Sequence, residues 1–112
     1  MINFIKAVSL MTAILLSTNT YSAVDQLIDR HGKKTVAFFY GAVGGYSVKC
    51  ENFRDGDAHG TYGRDLIEIG VPASGQMFDD PSIKEGWYAA ENMTCKQTKE
   101  GLIETGLYKK FF

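Results

Sequence analysis

Two cysteines set the tightest constraint on this chain. Cys50 and Cys95 are the only pair, so an oxidised molecule has one intramolecular pairing available. Closing a loop of about 46 residues lowers the entropy of the denatured chain by about 4 kcal/mol in the chain-entropy treatment. Such a staple matters in a small domain, which has only a few kcal/mol of net stability. The two thiols lack C-x-x-C spacing and have no neighbouring histidine, so a structural disulfide is predicted and a metal-binding or catalytic thiol pair is not. A structural disulfide requires an oxidising compartment.

The first residues supply the route to one. Met1 to Lys6 carries one positive charge, Ala7 to Leu16 is an uncharged apolar run, and small polar residues follow in STNTYSA. This is the three-part layout of a secretory signal peptide, predicted over residues 1–22 with cleavage after Ser22 or after Ala23. About ten apolar residues rise roughly 15 Å as a helix, half of the ~30 Å hydrocarbon core, so no stable membrane insertion is expected after processing. The expected location is periplasmic or secreted, with residues 23–112 forming one globular domain.

Composition removes several function classes. A chain of 112 residues, 45% apolar and 22% charged, is neither disordered nor large enough for a two-domain enzyme. Losing Lys6 with the leader takes the formal charge from -1 to -2, so nothing favours nucleic acid as a partner. All 12 glycines stay in the processed part. That density favours turns and short strands, since a glycine inside a helix costs about 1 kcal/mol relative to alanine.

Periodicity predicts a small antiparallel, β-rich α+β domain with a short N-terminal helix and one disulfide. Val24, Leu27, Ile28 and His31 recur at helical spacing, and Gly32 stands at the C-cap. KTVAFFYG and YSVKCENF, separated by AVGG, read as a hairpin because of their β-branched and aromatic content. A rival reading makes residues 35–50 one helix with a small-residue notch at Gly41 and Gly45, which leads to an all-α disulfide-linked bundle. Residues 54–65 read as an exposed loop, and Arg64 to Val71 as a strand stopped by Pro72. Asp80-Pro81 reads as the N-cap and first turn of a short helix over SIKEGWYAAEN that carries Ile83, Trp87 and Ala90. The end reads as a second hairpin turning at KEG, with Phe111 and Phe112 completing the core or forming an apolar patch.

Chemistry-bearing residues are sparse. Asp55, Asp57, His59 and Gly60 fall at positions one, three, five and six of a calcium-loop-like pattern, but position twelve is Leu66 where a bidentate carboxylate is needed. No metal and no cofactor is therefore expected. His31 and His59 are the only histidines, and Ser74 lies outside a G-x-S-x-G elbow. No catalytic constellation emerges, and a small envelope hydrolase ranks third among the readings. Asn92-Met93-Thr94 matches an N-glycosylation sequon.

Two short stretches resemble known families of the bacterial envelope. Cys50-Glu51-Asn52, with Ala73-Ser74-Gly75 and the following Phe78, resembles the membrane-type lysozyme inhibitors. That likeness implies a small disulfide-closed barrel in which Ser74 and Lys84 would enter the lysozyme cleft. The segment from Cys50 to Ser74 is short for such a barrel, and the family's Lys-Gly step is here Lys84-Glu85-Gly86. Cys50-Glu51-Asn52-Phe53 with one widely spaced disulfide also resembles the periplasmic acid-stress chaperones. The expected function is a non-enzymatic binding protein that contacts a protein partner as an inhibitor, immunity or accessory factor. Its contact surfaces would be residues 54–65 and 72–80, with Asp55, Asp57, His59, Ser74 and Lys84 the residues to test. The acid-stress chaperone is the alternative.

Overall fold

A computed structural model describes residues 22–72 and 74–112. Residues 1–21 of the expected leader lie outside the described residues, as does Ala73. The described chain holds six α-helices: α1 (Ala23–His31), α2 (Lys33–Lys49), α3 (Gly56–Ile69), α4 (Pro81–Asn92), α5 (Cys95–Thr105) and α6 (Leu107–Phe111), with a 3-10 turn at Ser74–Asp79 before α4. No strand occurs among the described residues. The β-rich α+β fold is thereby overturned, and the all-α disulfide-linked bundle is what forms.

Each segment expected as strand or loop is helical for a specific reason. Residues 35–49 belong to α2, with Cys50 at its C-cap, because Gly41, Gly44 and Gly45 form a notch that fits only against another helix. A Cβ on Gly41 would overlap the Ile83 carbonyl oxygen, and one on Gly86 would overlap the Phe38 carbonyl oxygen. At Gly45 a Cβ would lie 2.7 Å from the Trp87 carbonyl oxygen. Helices α2 and α4 thus cross backbone to backbone, with small residues on both sides. The expected loop at 54–65 is mostly the first half of α3, started by Asp55, whose carboxylate accepts the Ala58 amide at 2.8 Å. The expected strand at 64–71 is its second half, and Ala58, Tyr62, Leu66 and Ile69 point into the core. The expected KEG turn lies inside α5, which opens with a capping box. Thr94 Oγ1 accepts the Gln97 amide at 3.1 Å, and Gln97 Oε1 accepts the Thr94 amide at 3.0 Å.

Other expectations hold. The N-terminal helix ends at Gly32, whose φ is 85°. Asp80 caps α4 by accepting the Ser82 and Ile83 amides, with Pro81 in the first turn. The disulfide closes Cys50 to Cys95, joining the end of α2 to the start of α5. Lys49 strengthens that corner by donating to the Glu91 and Met93 carbonyls, each at 2.7 Å, a cation at the C-terminal end of α4. Phe111 is fully buried, so the tail completes the core as a short helix and not as a strand.

Candidate functional site

Once α3 is a helix, its inward face carries one charge. Asp65 sits between Tyr62 and Leu66 and is buried. Tyr40 from α2 donates its hydroxyl to Asp65 Oδ2 at 2.6 Å, and Lys110 from α6 places its Nζ 2.6 Å from the same oxygen. Tyr62 donates to the Tyr40 backbone carbonyl at 2.6 Å. One carboxylate therefore joins three helices, and a paired, hydrogen-bonded charge is the form in which a carboxylate tolerates burial. Burial, then the hydrogen bond to Asp65, drives the Tyr40 hydroxyl far above its ordinary range, and burial raises Tyr62. Both stay neutral donors at any physiological pH.

A second carboxylate repeats the arrangement nearer the surface. Glu51, just after the disulfide, accepts from Tyr46 at 3.0 Å and from Tyr108 at 2.8 Å. Burial and then the bond to Glu51 raise the Tyr46 hydroxyl. Between the two carboxylates lies an aromatic cluster. Phe111 packs 5.7 Å from both Tyr40 and Tyr62, while Phe112 lies 5.0 Å from Tyr46 and 5.4 Å from Phe53. The last six residues thus fill an aromatic cradle made by α2, α3 and the segment joining them.

The residues singled out in the sequence lie elsewhere. Asp55 is spent on capping α3; Asp57 is exposed in its first turn; and His59 is exposed with its ring 4.6 Å from Phe53. The calcium-like pattern therefore runs along a helix, with Leu66 in the core. Among the described residues no three His, Cys, Asp or Glu side chains gather as a metal would need. Ser74 opens the 3-10 turn and Lys84 is exposed on α4. Asn92 is exposed at the end of α4, and Thr94 is exposed as the N-cap of α5. The residues that sequence reasoning missed are Tyr40, Glu51, Asp65, Tyr108 and Lys110. Asp65 was the findable one, because at helical spacing it is the single charge on an apolar face.

Apolar depressions lie on the surface of the described residues. One of about 130 Å³ lies among Phe38, Ala42, Ala89, Met93 and Leu102. Another, about 510 Å³, is lined by His59, Tyr62, Ile67 and Met77 among others, and Ile67 is 66% exposed. Comparison with protein-family models, curated proteins and solved structures finds no match. Among the described residues no helix is long and apolar enough to cross a membrane.

Proposed function

We propose that this chain is an exported, non-enzymatic chaperone for other proteins in acid, a disulfide-tethered bundle whose apolar surface is uncovered as its carboxylates protonate. The observation that carries this reading is that the side-chain-to-side-chain ties between distant segments described above end on carboxylates, while Lys49 and Tyr62 tie to backbone carbonyls. Tyr40 and Lys110 meet on Asp65, Tyr108 meets Tyr46 on Glu51, and Ser22 donates to Glu68 at 3.0 Å. Carboxylates lose their charge below about pH 4. With Asp and Glu neutral, the 11 Lys and Arg left once Lys6 is removed from the chain's 12, together with two His, leave the molecule strongly cationic. Such charge repels itself and weakens the compact state. The disulfide would keep the opened chain tethered, so apolar helical faces could be presented without full unfolding.

The all-α, single-disulfide architecture and the stretch Cys50-Glu51-Asn52-Phe53 support this reading over an inhibitor. The inhibitor reading relied on residues 54–65 as an exposed loop, and most of that segment is helix α3. A periplasmic or secreted location belongs to the same proposal, because that compartment takes up external acid directly. The test is light scattering of an acid-unfolding client at pH 2 to 3 with the oxidised, exported protein present. Suppressed aggregation supports chaperone activity; unchanged scattering at a several-fold excess rejects it.

A further inference from the structure

Helix α6 is the least self-sufficient element of the bundle. Five residues are too few to hold a helix in water, so its place depends on what it touches. Leu107 and Phe111 are buried beneath it, and the Phe111 carbonyl accepts the Arg54 amide at 2.9 Å. Its side-chain ties both end on carboxylates, Lys110 on Asp65 and Tyr108 on Glu51. We propose that α6 with Phe112 is an acid-released plug, and that the aromatic cradle beneath it receives aromatic segments of acid-unfolded client polypeptides. This rests on the chaperone reading and names its docking surface.

The groups around each carboxylate set the direction. Asp65 is faced by Tyr40 from α2 and Lys110 from α6, with Tyr62 and Glu68 on its own helix close to Tyr40. Glu51 is faced by Tyr46 from α2 and Tyr108 from α6, whose ring lies 4.9 Å beneath the Lys99 ammonium of α5. When acid neutralises Asp65, Lys110 keeps its charge while its side chain is only 24% exposed. It retains the face of Phe111, 5.5 Å from Nζ, a contact worth less than the lost ion pair and hydrogen bonding to water, so the ammonium is driven toward water. Neutral Glu51 loses its charge-assisted bond to Tyr108 at the same time. The rest has other supports: α2 and α4 meet through glycine-to-carbonyl contacts, and α5 is bound to α2 by the disulfide. Release leaves Tyr40, Tyr46, Phe53 and Tyr62 lining an open cradle. Its resident, Leu-Tyr-Lys-Lys-Phe-Phe, is aromatic and cationic, which is the character of an aromatic client segment once its own carboxylates are protonated.

Brief pepsin digestion of the oxidised protein at pH 3, read by intact mass, tests the release. The tail from Leu107 onward should be removed about tenfold faster than any cut within α2 or α4, because cleavage tracks the open population. At pH 7 the double variant E51Q/D65N should yield its tail to chymotrypsin where the unaltered protein does not. Cuts in α2 or α4 as fast as those in the tail overturn the plug, as does a protected tail in a double variant that keeps its helix signal. If the double variant fails to fold, the pH 3 digestion of the unaltered protein decides alone. Client protection with the tail still in place refutes this inference and leaves the chaperone reading standing. Tail release without client protection refutes the chaperone reading, and with it the cradle's role in binding. An excess of the free peptide Leu-Tyr-Lys-Lys-Phe-Phe should abolish client protection at pH 3, and undiminished protection overturns the assignment of the cradle.

Discussion

Replacing Gly86 with alanine should destabilise the protein although it improves the local helix. The substitution removes backbone freedom from the middle of α4, worth about 1 kcal/mol in favour of alanine. Against this, the new Cβ would overlap the Phe38 carbonyl oxygen, and it would stand 2.8 Å from that carbonyl carbon and 3.0 Å from the Ala42 amide nitrogen. All three obstacles are backbone atoms of α2. No rotamer change relieves the overlap, so the helices must part. Overpacking of this kind costs about 1–3 kcal/mol, and more where nothing can yield. A gap of under an ångström forfeits a quarter to a half of each contact along the crossing. The balance is a net loss of about 2 kcal/mol or more, a large share of the total for a domain this size.

Gly101 supplies the opposite case within the same molecule. It lies inside α5, and an added Cβ meets nothing within 4 Å, so Gly101→Ala should stabilise by about 0.5–1 kcal/mol. Urea unfolding of the oxidised variants, followed by helix circular dichroism, measures both. With a slope of about 1–2 kcal/mol per molar urea, Gly86→Ala should lower the midpoint by about 1 M or more and Gly101→Ala should raise it. A Gly86→Ala midpoint equal to or above that of the unaltered protein refutes the backbone crossing of α2 and α4.

Three further outcomes follow from the same structure. Tyr40, Tyr46 and Tyr62 hold their protons more tightly folded than at the ordinary value of 10.0. Their contribution is therefore complete below pH 10 and lost as pH rises above it; the urea midpoint should fall from about pH 10 upward, and a flat profile to pH 11.5 contradicts their burial. Replacing Cys50 and Cys95 together with serine should cost up to about 4 kcal/mol, read as a lowered urea midpoint at pH 7. Asp80→Ala removes the acceptor for the Ser82 and Ile83 amides and should cost about 1 kcal/mol, whereas exposed Asp57→Ala should stay within about 0.5 kcal/mol.

Residues 35–50 show why the fold was only half legible. Val36, Phe38, Phe39, Tyr40, Val43, Tyr46 and Val48 are strand formers by intrinsic preference, and the helix wins because Gly41 and Gly45 match Gly86 and Ala90, each 45 residues later. That match lies in tertiary structure, beyond the reach of local propensity. At Thr94 the signal was local and overlooked: T-x-x-Q before Leu102 is a capping box. Gly60 and Gly63 misled in the other direction, since nothing crowds them in α3 and their helix is held from its other face. The N-terminal helix, the Asp80-Pro81 start and the disulfide were readable because each depends on neighbours in sequence or on residue count alone. Asp65 became visible as a site only with the helical period that made it a charge on an apolar face.

The chemistry of the helix starts divides the molecule by its response to acid. Helix α3 begins on the Asp55 carboxylate, carries Asp65 in its middle, and is tied to α1 through Glu68 and Ser22. Its cap, its tie to α1 and its tie to α6 therefore end on carboxylates, while Tyr62 adds a bond to the Tyr40 carbonyl of α2 that does not. Helix α5 begins on Thr94 and Gln97, which do not titrate, and is fixed by the disulfide. Helix α4 has one carboxylate at its cap, Asp80, but its main support is the glycine crossing with α2. On the chaperone proposal, falling pH would act first along the line from α1 through α3 to α6, while α2, α4 and α5 are joined by the glycine crossing and the disulfide, which carry no titrating group. A molecule built this way can open one side of its core without losing the other, which is what presenting an apolar surface from a still-folded scaffold requires.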